Sequence, residues 1–115
     1  MKKIEAIIRP EKLGDVQDAL NNAGYKGMTI IRVEGQGDNP GKTMTVGRVG
    51  ETRKVYTLAK IKLEIVISDA AAEDVINVIK ESADTGRAGD GRIFVSAVLD
   101  SVRIDTGESG ADSLS

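Results

Sequence analysis

Thr85-Gly86-Arg87-Ala88-Gly89-Asp90-Gly91-Arg92-Ile93-Phe94-Val95 joins a segment of helical apolar spacing to an apolar run of strand character, and this junction decides how the second half of the chain folds. Three glycines fall within six residues, with Arg87, Arg92 and Asp90 among them. Glycine permits positive φ and close approach of a ligand to the backbone. Successive N–H groups in such a turn form a concave nest for an anion, and the two arginines add full charge. The stretch therefore reads either as a phosphate-binding loop or as a tight helix-to-strand turn whose charges face water. A lone glycine-rich loop is a weak signal, so the flanking chain must decide.

Upstream, Ala72, Ile76, Ile79 and Ala83 recur at helical spacing, with Asp69 placed to cap the helix and Glu73 and Asp74 in its first turn. Before it, Tyr56 to Ser68 alternates as the longest strand, Ile61, Leu63, Ile65 and Ile67 against Lys60, Lys62, Glu64 and Val66. Downstream, Ile93 to Ala97 and Leu99 to Ile104 read as a fourth and a short fifth strand, followed by a polar, flexible tail. The first half repeats the plan. Lys2 to Arg9 is a strand with Ile4, Ala6 and Ile8 on one face. Pro10 and Glu11 open a helix carrying Leu13, Val16, Leu20 and Ala23, Gly24 ends it, and Met28 to Gly35 is a strand. Between Gly35 and Val55 the periodicity dissolves. That segment reads as a long functional loop or as a ragged hairpin.

The order βαβ–loop–βαβ predicts an α+β, ferredoxin-like sandwich, an antiparallel four-stranded sheet with both helices on one face. Ile7, Ile30 and Val66 are expected on the other face, too apolar to stay wet, which predicts a homo-oligomer.

Composition narrows the function. A chain of 115 residues and 12.2 kDa supports one domain. With no Cys and no His, thiol nucleophiles, disulfides, His/Cys zinc sites, phosphohistidine chemistry and Ser-His-Asp triads are excluded. Asp90 and Glu64 are the nearest thing to an acid and a base, and nothing in the sequence pairs them. Binding is the better reading. The net charge of −2 supports neither nucleic acid nor a membrane surface as partner. No apolar run approaches the ~20 residues of a membrane span and no signal-peptide core is seen, so a cytoplasmic protein is expected.

Four segments, Met-Lys-Lys-Ile-Glu-Ala-Ile-Ile-Arg-Pro at the start, Lys60 to Val66, Thr85 to Val95 and Arg103-Ile104-Asp105-Thr106-Gly107-Glu108, resemble the PII signal-transduction proteins in order and spacing. The resemblance implies a domain over residues 1–108, a homotrimer with adenine nucleotides in the inter-subunit clefts, and no enzymatic activity. It implies a B-loop at 84–92 and a T-loop at 37–55 that docks on a transporter or enzyme, leaving 109–115 as a flexible tail. By position, Gly89, Asp90, Gly91 and Arg92 would meet the phosphates, with Arg103 arriving from the neighbouring subunit. Ile7, Thr29 and Val66 would line the adenine pocket, and Gly35 and Gly37 would open the T-loop beside Asp38 and Asn39. Lys60, with Arg9 and Gly41, would hold a small-anion effector such as 2-oxoglutarate.

The chain also departs from the family pattern. The loop tip, Val46 to Arg53, carries neither Tyr nor Ser for covalent modification. Asn39 replaces a magnesium-binding glutamine, which counts against magnesium, and Asp38 and Asp105 replace two phosphate-binding arginines. ADP or AMP is therefore expected ahead of ATP. The alternatives are a nitrogen sensor of the ATP/2-oxoglutarate type, a bicarbonate-linked adenylate sensor, a ferredoxin-like enzyme and a structural oligomerisation domain.

Overall fold

A computed structural model describes residues 1–37, 41–47 and 50–114. Its elements are β1 (Lys2–Ile8), α1 (Leu13–Asn22), β2 (Met28–Gly35), β3 (Lys42–Val46), β4 (Glu51–Val55), β5 (Leu58–Ile67), α2 (Ala72–Ala83) and β6 (Gly91–Ala97). Short 3₁₀ turns precede both helices, and another ends the chain at Gly110–Leu114. The main sheet runs β2-β5-β1-β6 with every neighbour antiparallel, the predicted ferredoxin-like arrangement.

Alternation decides which face is buried. Ile4, Ala6 and Ile8 of β1 and Ile61, Leu63, Ile65 and Ile67 of β5 point to the helices. There they meet Val16 and Leu20 of α1 and Val75, Ile79 and Ala83 of α2 in one apolar core. Gly24, at φ +93°, ends α1 as expected, its N–H donating to the Asn21 carbonyl at 3.0 Å while the Tyr25 N–H reaches back to Leu20 at 2.8 Å.

Several expectations are corrected. Asp69 does not cap a helix: it opens a 3₁₀ turn, and its carboxylate pairs with the Met1 amine at 3.2 Å. In α2 the expected Ile79 and Ala83 are buried and Ala72 and Ile76 pack half-buried against the core, with Val75 as a further, fully buried member. Ala23 is exposed just past the end of α1. Ile30 shares the helix side of the sheet, opposite Leu63; the outward residues of β2 are Thr29, Ile31 and Val33. Leu99 to Ile104 forms no strand. Only a bridge between Val102 and Ser109 forms there, with Leu99, Val102 and Ile104 exposed, because the chain supplies no partner strand or core to receive them. The C-terminal residues read as a tail fold into a 3₁₀ helix with Ser113 buried and its hydroxyl donating to the Gly110 carbonyl at 2.6 Å.

Of the two readings for the long loop, the structure shows the hairpin, built from strands β3 and β4. β3 and β4 pair from Lys42 opposite Val55 to Val46 opposite Glu51. Thr43, Thr45, Thr52 and Val55 favour extended backbone, but with almost every side chain wet there is no apolar period to detect.

Candidate functional site

One end of the sheet gathers most of the residues singled out in the sequence. Ile8 lies opposite both Ile61 and Gly91, so Arg9, Lys60 and the 84–91 loop converge where β1 leaves the sheet. Gly35, opposite Leu58, and Val33, opposite Lys60, bring the end of β2 to the same edge. Arg92 lies opposite Ile7 on the outward face.

The loop is tied to the sheet by charged side chains. Arg9 donates from Nε to Asp90 Oδ1 at 2.9 Å and from a terminal nitrogen to the Ala88 carbonyl at 2.8 Å. Lys60 donates to the Gly89 carbonyl at 2.6 Å. Asp90 also accepts from the Thr85 backbone N–H at 2.8 Å and from the Thr85 hydroxyl. The Arg87 N–H donates back to Thr85 Oγ1 at 3.3 Å, and the Gly86 N–H to Asp84 at 2.8 Å. The Thr85 hydroxyl first, then the Arg9 guanidinium and the Thr85 amide, hold the Asp90 carboxyl far below the usual carboxylate range. The N–H groups of Ala88 and Gly89 make no hydrogen bond among the described residues.

Gly91 is required by its neighbour. Its φ is +122°, and a Cβ there would lie 1.7 Å from the Ile7 carbonyl oxygen. Gly41, at φ +81°, packs against the ring of Tyr56 at the base of the hairpin, where a Cβ would meet ring carbons at 2.9 Å. Gly37 is exposed beyond β2. Asp38 and Asn39 lie outside the described residues.

The register separates the three residues expected at an adenine pocket. Ile7 stands opposite Lys62, at the loop end of the sheet. Thr29 stands opposite Glu64, and Val66 opposite Lys3, toward the other end. Four residues of strand, about 13 Å, divide Ile7 from Val66 along the ladder. A single chain does not bring them together.

Arg103 is paired within its own turn, donating to both carboxylate oxygens of Asp105 at 3.2 and 3.3 Å. That guanidinium, helped by the Thr106 amide, holds the Asp105 carboxyl below its ordinary value. Of the two carboxylates weighed as acid and base, Asp90 is engaged in the loop and Glu64 pairs with Lys62 at 3.3 Å. A cavity of about 420 Å³ flanks the loop on the helix side, between Ile76 and Ile79 of α2 and Ile93 and Val95 of β6.

Thr85 and the carbonyls of Ala88 and Gly89 had no distinguishing mark in the sequence. The only available signal was a hydroxyl residue five positions before an aspartate in a glycine-rich turn. No helix among the described residues is long and apolar enough to cross a membrane.

Comparison with known proteins identifies the fold's relatives. The family model for nitrogen regulatory protein P-II matches residues 1–108. Nitrogen regulatory protein P-II of Mesorhizobium japonicum is 46% identical over 114 residues, covering 99% of this chain and all of the relative; that of Rhodospirillum rubrum matches equally. Nitrogen regulatory protein P-II 2 of Methanothermobacter thermautotrophicus is 48% identical over 110 residues, covering 96% of this chain and 94% of the relative. The tethered glycine loop, the ferredoxin-like sheet and this full-length similarity agree: the chain belongs to the P-II family of nitrogen regulatory proteins, signal-transduction regulators and not enzymes.

Proposed function

We propose that this P-II protein is a homotrimer that binds an adenine nucleotide between subunits, ADP or AMP in preference to ATP, and regulates a partner transporter or enzyme through the β3–β4 hairpin. The family binds adenine nucleotides and acts on partner proteins, which supports the coarse reading. Membership and fold also favour the trimer, since Thr29 and Val66 lie far from the loop within one chain and would complete a pocket only against another subunit.

The observation that carries the nucleotide preference is the Arg103–Asp105 pair. In this reading Arg103 reaches the phosphates of the neighbouring subunit with two of its donors already engaged by a carboxylate. The loop N–H groups, Arg92 and Arg103 then suffice for one or two phosphates. A third would bring more negative charge toward Asp105, which, like Asp38 in the sequence, stands where the family pattern has an arginine. A unit charge contact at 4 Å is worth about 4 kcal/mol at an effective dielectric of ~20, before screening. Magnesium would ease that repulsion, but Asn39 is one methylene shorter than the family's glutamine.

A second reading, a sensor of nitrogen status through ATP and 2-oxoglutarate, is favoured by the relatives' names and by Lys60 at the loop. A bicarbonate-linked adenylate sensor is its variant. Titration calorimetry with AMP, ADP and ATP, with and without magnesium, 2-oxoglutarate or bicarbonate, separates the three. ADP is expected to bind at least about tenfold more tightly than ATP, a difference of about 1.4 kcal/mol. Asp38→Arg combined with Asp105→Arg is expected to narrow that gap. Equal affinity for ADP and ATP in the original chain overturns the preference.

A further inference from the structure

We propose that Arg9, Thr85 and Asp90 are positioning residues that hold the 84–91 loop in its anion-accepting form before any nucleotide arrives, with Lys60 clamping the same loop at Gly89. The proposal rests on the nucleotide-binding reading above and names the residues that prepare that site.

A segment with glycines at φ +74°, +91° and +122° has much conformational entropy to lose. Left untethered, it would charge that loss against ligand affinity. Here the ordering is supplied by residues distant in sequence: Arg9 reaches across 79 and 81 positions, and Lys60 across 29. The direction of each contact matters. In a planar trans peptide the carbonyl and the following N–H point opposite ways. With the Ala88 carbonyl held by Arg9, the Gly89 N–H of the same peptide points to the side opposite that contact, and Lys60 holds the next carbonyl, that of Gly89. The neighbouring N–H groups of Ala88 and Gly89, which make no hydrogen bond among the described residues, are the elements of an anion nest.

Asp90 closes the arrangement from beneath. As an ionised carboxylate it only accepts, and Arg9 Nε and both Thr85 donors supply what it accepts. Its negative charge is thereby answered inside the loop, beside a place where phosphate would sit. The Thr85 hydroxyl donates to Asp90 and accepts from both the backbone N–H and the Nε of Arg87.

The test uses the full chain, with ADP as probe in calorimetry and amide exchange on the ligand-free protein. Thr85→Val keeps the shape and removes the hydroxyl; Thr85→Ser keeps the hydroxyl. Thr85→Val and Arg9→Gln are each expected to weaken ADP about tenfold, and Thr85→Ser to stay within about threefold of the original. Because both weakening changes act through Asp90, the double variant is expected to lose less than the product of the single losses. Exchange at Thr85 and Arg87 should quicken in Thr85→Val and not in Thr85→Ser. Undiminished ADP affinity in Thr85→Val, equal losses in the Ser and Val variants, or fully multiplicative losses in the double variant each overturn the proposal. If the original chain takes up no ADP, the nucleotide reading fails by itself. Exchange then decides the tether alone: faster exchange in the Val variant only upholds it, and unchanged exchange overturns it.

Discussion

Asp90 accepts hydrogen bonds from Thr85 and Arg9 that favour its charged form, so its folded pKa lies below the unfolded value, ordinarily 3.8. The sign follows from linkage. A depressed carboxylate contributes stability that is fully present above its unfolded pKa and fades as pH falls toward the folded one. The thermal midpoint of the original chain should therefore exceed that of Asp90→Asn at about pH 7, and the gap should shrink at about pH 3. A gap independent of pH would mean that Asp90 acts without its charge. Asp105 is also depressed, but it is largely exposed, so solvent screening keeps its contribution small and the comparison isolates Asp90. At this scale glycine identity was legible and its reason was not. The sequence marks Gly91 as a loop residue, whereas its contact is with the Ile7 carbonyl, 84 positions away.

Among the elements, the β3–β4 hairpin differs from all others in lending nothing to the core: its described side chains are exposed apart from Val55, which is half-buried. A two-stranded ribbon of this kind is marginal on its own. Replacing residues 42–55 by a short Gly-Ser linker should leave the thermal midpoint within about 4 °C, the scale of 1 kcal/mol for a domain of this size, while abolishing any response of a partner. A loss much larger than that would show that the hairpin supports the fold. The element-level reading of the sequence was sound where one face is buried and the other wet, as in β1, α1 and β5. It left the hairpin as one of two readings, because that element has no buried face, and in α2 it found Ile79 and Ala83 but missed Val75.

At the scale of the whole molecule, the sheet has one covered face. On the other, Ile31, Leu58 and Phe94 are exposed around the Lys3–Glu5 and Lys62–Glu64 ion pairs, and Leu99 and Ile104 project from the segment after β6. Apolar residues in that number on a small chain mark an interface. Light scattering is expected to give the mass of three 12.2 kDa chains, and Phe94→Glu to reduce it. A monomer at micromolar concentration would contradict the trimer.

From the sequence alone came the βαβ–loop–βαβ order, most of the core and the family resemblance, because periodicity, glycine placement and composition are local properties of a chain. The tertiary structure decided which distant residues meet. Strand register placed Arg9 and Lys60 against the glycine loop, kept Ile7 apart from Thr29 and Val66, and turned Ile30 to the helix side. A single residue's slip would exchange the two faces of a strand, and no local pattern determines where its partner begins.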